Sequence, residues 1–233
     1  MKTNNLISLK KIFGAALPLG TILMASMPSE AVMFRSPGKP APSQSVGGAS
    51  RGECFSENRT VDYKSLLPKQ EVGLTIAERP TLFVYVPQTS AEQVLLTIRN
   101  GEDNSIHYRT YLPLTVNGGV VSITVPEDSP ALELEKDYIW SLQIVCHEDD
   151  PAHPETIGWI RRVTIENSSV SPTEPASLEK VSELAYEGIW YDALSNLASL
   201  RQAQPEDQVL ISDWQELLTS AGLDDLATQP LKY

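Results

Sequence analysis

Alternating apolar and polar positions between residues 72 and 166 predict a domain built mainly from β-strands. The alternation is clearest in Val94-Leu96-Ile98 and in Val121-Ile123-Val125, and glycine, proline and asparagine separate the apolar runs. Seven strands are predicted, over residues 72–77, 81–86, 93–99, 105–112, 119–125, 137–146 and 156–165. Short strands at close, regular spacing indicate an antiparallel β-sandwich rather than a parallel sheet.

A leucine six residues before a tyrosine, at the start of a strand, is typical of the tyrosine corner of sandwich folds. Leu132 and Tyr138 have this spacing, so the tyrosine hydroxyl is expected to bond to upstream backbone. Trp140 and Leu142 share the strand face of Tyr138 and are expected in the core. The predicted sandwich is therefore immunoglobulin- or fibronectin-like.

The apolar period becomes helical after residue 176, in three sets that begin at Leu178, Ala193 and Val209. Gly188 and Gly222 lie 34 residues apart, as do Ala193 and Ala227. This offset equals the tetratricopeptide period, and glycine permits a tight turn between helices. The mainly β fold is thus expected to carry an α-helical tail with a tetratricopeptide-like helical hairpin. This tail packs on the sandwich, pairs with another chain, or does both.

The N-terminal segment has the pattern of a secretion signal. Lys2, Lys10 and Lys11 precede an apolar run over residues 12–27, and Ser29-Glu30-Ala31 fits a cleavage site. An uncleaved signal anchor is the alternative, although the run is short for a membrane span. The predicted division is a signal peptide (1–31), a disordered linker (32–53), a β-sandwich domain (54–166), a second linker (167–176) and the helical tail (177–233). The signal implies export to the periplasm or the cell exterior, without a stable membrane span after cleavage.

The charge balance excludes some partners. The chain has 18 basic and 30 acidic residues and a net charge of -12. Because an anionic surface repels phosphate backbones and anionic headgroups, nucleic acid and peripheral membrane binding are disfavoured.

The two cysteines, Cys54 and Cys146, are expected to form one disulfide, because an isolated pair in an exported chain is most simply a bridge. A reactive thiol or a metal ligand is the alternative. Neither cysteine lies in a CxxC motif or a basic cluster that would favour the thiolate.

No established catalytic motif occurs in the chain, and no cofactor is predicted. The three histidines are His107, which is expected at the surface, and His147 and His153. His147, Asp149 and His153 lie on one acidic loop and are weak candidates for a divalent-cation site. A solvated hairpin loop explains the same residues.

Five segments together resemble the cyanobacterial domain-of-unknown-function family nine-two-eight. They are RGEC (51–54), TIAERPTLFVYVP (75–87), IVC (144–146), GWIRRV (158–163) and GIWYDAL (188–194). The resemblance covers roughly residues 51–230. It implies an exported cyanobacterial protein and carries over no activity and no catalytic or binding residue.

Three functional hypotheses follow. The first is a non-enzymatic protein-interaction module with a protein partner or a second copy, for which Trp190, Tyr191 and Trp214 are anchor candidates if exposed and inter-helix core otherwise. The second is an envelope structural protein or one associated with a surface polymer. The third is a hydrolase, which requires His147 or His153 beside a carboxylate and a nucleophile.

Overall fold

The computed structural model describes residues 32–42, 54–55, 63–69, 71–115, 117–146, 153–165 and 174–232. Within them the strands are β1 (Lys64–Ser65), β2 (Gly73–Thr75), β3 (Thr81–Val86), β4 (Gln93–Asn100), β5 (Ile106–Pro113), β6 (Gly119–Thr124), β7 (Asp137–Val145), β8 (Glu155–Arg162) and β9 (Leu231–Lys232). The helices are α1 (Leu178–Tyr186), α2 (Trp190–Ala203) and α3 (Gln208–Ser220). The chain is therefore mainly β with three C-terminal helices, as predicted, and all seven predicted strands are confirmed.

The strands form two sheets, with the orders β1-β3-β6-β9 and β2-β8-β7-β4-β5. The expectation of purely antiparallel sheets is wrong at two places, because β2 runs parallel to β8 and β9 runs parallel to β6. Both parallel pairs join segments far apart in sequence, so no hairpin constrains their direction. The sheets are mixed.

Strand β7 shows why the alternation of apolar and polar residues predicted the strands. Its buried residues are Tyr138, Trp140, Leu142 and Ile144, each separated by a half-buried one. The Tyr138 ring is fully buried, and its hydroxyl accepts a hydrogen bond from the backbone N–H of Glu133 at 3.3 Å. The predicted bond from this tyrosine to upstream backbone is confirmed.

Capping side chains mark the start of two helices, and glycines follow the end of two helices. The Ser177 side chain caps α1, and the Asp207 carboxylate caps α3. Gly188 follows α1 with a φ of 75°, and Gly222 follows α3 with a φ of 77°. These left-handed conformations favour glycine, which explains the pair 34 residues apart. Gly188 leads into helix α2, whereas turns follow Gly222 and lead to strand β9.

The helices pack on the sheets through α2, which contacts β2 and β3. The residues from 31 to 233 form one compact unit. Packing on the sheets is one of the two outcomes predicted for the helical tail. Strand β9, at the end of the predicted tail, pairs with β6 of the predicted sandwich domain.

The expectation of a disordered linker is wrong for residues 32–42. Val32 is buried, and the ring of Phe34 meets Trp190 edge-on at 4.9 Å. The backbone N–H of Arg35 donates to the carbonyl of Ala185 at 2.9 Å. This segment is called the N-terminal arm below, and it is ordered because it covers the α1–α2 pair with apolar side chains. The rest of that linker, the predicted signal peptide and residues 167–173 of the second linker lie outside the described residues.

The predicted disulfide between Cys54 and Cys146 is present. The Cys54 carbonyl accepts hydrogen bonds from the Thr89 hydroxyl and the Ser90 N–H, both at 2.9 Å. The bridge thus joins the segment at Cys54 to the end of β7, and the two hydrogen bonds join that segment to the β3–β4 connection. No helix among the described residues has the length and apolar character needed to cross a membrane.

Candidate functional site

The predicted metal loop is only partly described. His147 and Asp149 lie outside the described residues, while His153 precedes β8 with an Nδ1 that is buried and unpartnered. Within the described ranges, no three metal-ligating side chains come together. His107 is half-buried, its ring lies 4.8 Å from the Tyr138 ring at an angle of 60°, and it bonds to the Pro130 carbonyl at 3.1 Å. Its predicted surface position is therefore only partly correct.

The three aromatic anchor candidates lie in the core. Trp190, Tyr191 and Trp214 expose 0%, 1% and 1% of their surface, so they cannot serve as exposed anchors in this conformation. The physical reason is that α2 packs directly on the sheets. The Trp190 Nε1–H donates to the Leu66 carbonyl at 2.7 Å, and Tyr191 meets Trp140.

Replacing Tyr191 by phenylalanine is expected to destabilise the fold by about 1–3 kcal/mol. The Tyr191 hydroxyl accepts from Trp140 Nε1–H at 2.6 Å and donates to the Trp159 carbonyl at 3.1 Å. Without it, the buried indole N–H loses its acceptor. Urea unfolding followed by tryptophan fluorescence measures the loss. Tyr111→Phe on exposed β5 is the matched control, and equal stability of the two variants would contradict the role of this hydroxyl.

Asp192 joins the first turn of α2 to the end of β2. Its carboxylate accepts from the backbone N–H of Ile76 at 3.1 Å. Burial raises the pKa of this carboxyl from its ordinary 3.8 to about 6, although hydrogen bonds from Thr75 and Ile76 oppose the shift.

The Asp192 pKa gives a pH-dependent stability. Because the folded state binds the proton more tightly than the unfolded state, the favourable contribution is complete below about pH 4. It is lost as the pH rises through about 6. Asp192→Asn, which mimics the neutral carboxyl, is expected to unfold like the wild type at low pH. Near pH 8 it is expected to be about 1–3 kcal/mol more stable. Urea titrations at several pH values test this, with exposed Glu127→Gln as control, and a difference independent of pH would disprove it.

A cleft of about 1040 Å³ opens between four segments of the chain. They are residues 40–42 of the N-terminal arm, the segment 63–69, residues 155–159 of β8 and the turns at 223–226 after α3. The arm is held beside the cleft by the hydrogen bond from Val72 N–H to the Lys39 carbonyl and by a bridge between Pro40 and Glu71. The cleft is therefore assembled from segments distant in sequence.

Three of the lining residues each carry a polar side-chain atom without a hydrogen-bond partner among the described residues. These atoms are the hydroxyl of Tyr63, Nε1 of Trp159 and Oε2 of Glu71, and all three are closed to solvent. Tyr63 is 9% exposed and Trp159 is 8% exposed, so both side chains are buried in the cleft wall. The other Glu71 oxygen accepts from the Ser36 hydroxyl. Each unpaired buried group costs about 1–3 kcal/mol unless a ligand satisfies it.

The cleft has an acidic rim. Its charged side chains are Lys64, Lys69, Glu71, Glu155, Asp224 and Asp225. Lys64 pairs with Asp225 at 2.7 Å, and this hydrogen bond lowers the pKa of the Asp225 carboxyl. Burial, with a further contribution from the Glu155 charge, raises the pKa of Tyr63 far above its ordinary value, so the phenol stays protonated. Four carboxylates and two lysines line the cleft, so two negative charges remain in excess.

Sequence reasoning missed the cleft. Tyr63 and Glu71 lie before the first predicted strand, and no local pattern connects them to β8. Trp159 could have been noticed, because Tyr138 pairs with Ile160 and Trp140 with Gly158 across the ladder. Trp159 is therefore on the opposite face of β8 from the core residues, and a tryptophan there is a signal for a binding surface.

Comparison with known proteins gives one family. The model of a family described as Domain of Unknown Function (DUF928) matches residues 46–231. No curated protein matches the chain, and no solved structure does.

Proposed function

This chain belongs to the DUF928 family, and we propose that it is an exported, non-enzymatic interaction module that binds its partner in the cleft between the N-terminal arm, β8 and the turns after α3. The observation that carries the proposal is that three residues lining the cleft, Tyr63, Trp159 and Glu71, each carry a buried polar atom without a partner. A concave, largely apolar surface with a few convergent polar groups is the usual form of a binding site.

Burial of the aromatic anchor candidates changes which interaction route is favoured. A helical groove that captures a peptide needs exposed anchors, and Trp190 and Trp214 are enclosed. The cleft lies mainly against β8 and the segment 63–69 instead. This arrangement supports association with a surface polymer more than capture of a partner helix.

The strand order supports an immunoglobulin-like fold for this module. The five-stranded sheet has β2 parallel to β8 at one edge, then β7, β4 and β5, and β7 begins with the tyrosine that bonds upstream backbone. The two glycines after α1 and α3 support a tetratricopeptide-like origin for the helices.

Export rests on the signal pattern in residues 1–31 and is supported by the disulfide, because structural disulfides persist in oxidising compartments. The expected location is the periplasm or the cell exterior.

A retention assay tests the function. The chain from residue 32 to 233 is incubated with envelope fractions of its source organism, separated into protein, polysaccharide and lipid. Asp224→Arg reverses a rim charge, while Glu127→Arg makes the same change on an exposed turn outside the cleft. We expect retention on one fraction that Asp224→Arg reduces at least about fivefold, which corresponds to roughly 1 kcal/mol, and that Glu127→Arg leaves unchanged.

Three results would contradict this proposal. They are no retention on any fraction, equal retention of both variants, and release of cleaved products from the bound fraction, which would instead support the hydrolase hypothesis.

Self-association as an envelope structural protein is the second candidate. Strand β5 is an edge of the five-stranded sheet and exposes Ile106 and Tyr111, at 54% and 60%. An exposed apolar edge strand is a template for pairing with another chain. Sedimentation at increasing concentration tests it, and a monomer over the whole range would exclude it.

A further inference from the structure

A ligand that satisfies the unpartnered atoms of the three cleft residues must both accept and donate hydrogen bonds. The indole Nε1–H of Trp159 is a donor only, and the Glu71 carboxylate is an acceptor only. The Tyr63 hydroxyl keeps its proton, because burial and the Glu155 charge raise its pKa. A ligand that pairs with all three must therefore carry acceptors and donors together.

The negative charge around the cleft disfavours some classes of ligand. Four carboxylates face two lysines around the cleft, and Lys64 is already paired with Asp225. An anionic ligand is repelled by this excess of negative charge. A cationic ligand whose groups only donate, such as a protonated polyamine, leaves Trp159 Nε1–H unsatisfied. Hydroxyl groups fit both conditions, since each one donates and accepts.

The apolar part of the lining suits the C–H faces of sugar rings. Pro40, Pro42, Leu67, Ile157 and Leu226 contribute to the cleft beside the two aromatic side chains. Its volume of about 1040 Å³ is at the upper end of the range for sites that hold small molecules. A single monosaccharide would leave most of this volume empty, whereas an extended chain of sugars would fill it.

We infer that the cleft binds a short segment of a neutral polysaccharide, whose hydroxyl groups pair with Tyr63, Trp159 and Glu71. This inference rests on the proposed function and names its ligand class. The three polar atoms are shielded from water, so the ligand reaches them as rim side chains move aside. Lys69, Asp224 and Asp225 are exposed side chains at this rim.

Isothermal titration with neutral oligosaccharides tests the inference. The probes are cellohexaose, maltohexaose and N-acetylchitohexaose, with hexalysine and a sulfated oligosaccharide as charged comparisons. The proteins are the chain from residue 32 to 233, Tyr63→Phe, Glu71→Gln and the control Tyr111→Phe, whose ring is exposed on β5. We expect at least one neutral probe to bind. Its affinity falls about five- to tenfold in Tyr63→Phe and Glu71→Gln and stays unchanged in Tyr111→Phe.

Stability separates binding from folding in this test. Tyr63→Phe removes an unpartnered buried hydroxyl, so the free variant is expected to be at least as stable as the wild type. A variant that binds sugar more weakly while unfolding at the same or higher urea concentration assigns the hydroxyl to the ligand. A residue with a merely structural role would lower stability and leave the affinity intact.

The inference fails if no neutral probe binds, if Tyr63→Phe and Glu71→Gln both bind as tightly as the wild type, or if a charged probe binds in preference. Failure here is distinct from failure of the proposed function. If retention of an envelope fraction still depends on Asp224, the cleft binds a ligand of another class. If retention is also lost or independent of Asp224, both proposals are wrong.

Discussion

Replacing Trp190 by alanine is expected to lower the free energy of unfolding by about 3–5 kcal/mol, which is the usual cost of truncating a buried tryptophan. The side chain is fully buried at the start of α2 and holds three segments together. Its indole N–H donates to the Leu66 carbonyl, and its ring meets Phe34 of the N-terminal arm. The substitution removes a large apolar volume and leaves a buried carbonyl unpaired. Urea unfolding of the chain from residue 32 to 233, followed by circular dichroism, measures the loss.

Two further variants show where that free energy comes from. Trp190→Phe keeps an aromatic ring and removes the N–H, so it is expected to cost less than the alanine variant. Tyr111→Ala truncates an aromatic residue that is 60% exposed and is expected to change stability by no more than about 0.5 kcal/mol. A loss below about 1 kcal/mol in Trp190→Ala would mean that α2 is not fixed on the sheets.

The strands could be predicted because burial alternates along them. Strand β3 was located at the residues that the structure gives, and β7 within one residue, because each has an inner face of large apolar side chains. Very short strands show no such alternation of burial. Strands β1 and β9 have two residues each and pair only because distant parts of the chain come together.

The N-terminal arm shows a second limit of sequence reasoning. Its three prolines, with one glycine and one serine, are typical of a linker, and few of its residues are apolar. Val32 is buried and Phe34 is half-buried at the start of the arm, and the Ala185 carbonyl accepts a hydrogen bond from it. Backbone contacts with Val72 and Glu71 hold its other end. A few apolar residues can anchor a segment only if another part of the chain offers a surface for them. The sequence of the segment itself does not show whether such a surface exists.

The candidate site was harder to predict than the fold for a related reason. Tryptophan and tyrosine are frequent in binding sites, so Trp190 and Tyr191 on α2 were candidates. The sheet against which α2 packs buries both side chains. The cleft instead draws Tyr63, Glu71 and Trp159 from segments that no motif connects. Unpartnered polar atoms identify it, and these can be found only when the three-dimensional contacts are known.

Removing the disulfide with Cys54→Ala and Cys146→Ala together is expected to lower the free energy of unfolding by about 3–5 kcal/mol. The two cysteines are 92 residues apart in sequence, and in the chain-entropy model a cross-link over this separation contributes somewhat more than 4 kcal/mol. The bridge also fixes the Cys54 carbonyl, which accepts from Thr89 and Ser90. Urea unfolding in the oxidised state, compared between the double variant and the wild type, measures the difference.

The slope of the unfolding curve distinguishes the two contributions. If the disulfide acts mainly on the unfolded chain, its removal lets that chain expand and expose more surface, so the dependence on urea becomes steeper. If the native contacts of Cys54 dominate, the midpoint falls while the slope stays constant. Reductant should shift the wild type toward the double variant and leave the double variant unchanged. A double variant within about 1 kcal/mol of the oxidised wild type would mean that the contacts of Cys54 with Thr89 and Ser90 hold the segment without the covalent link.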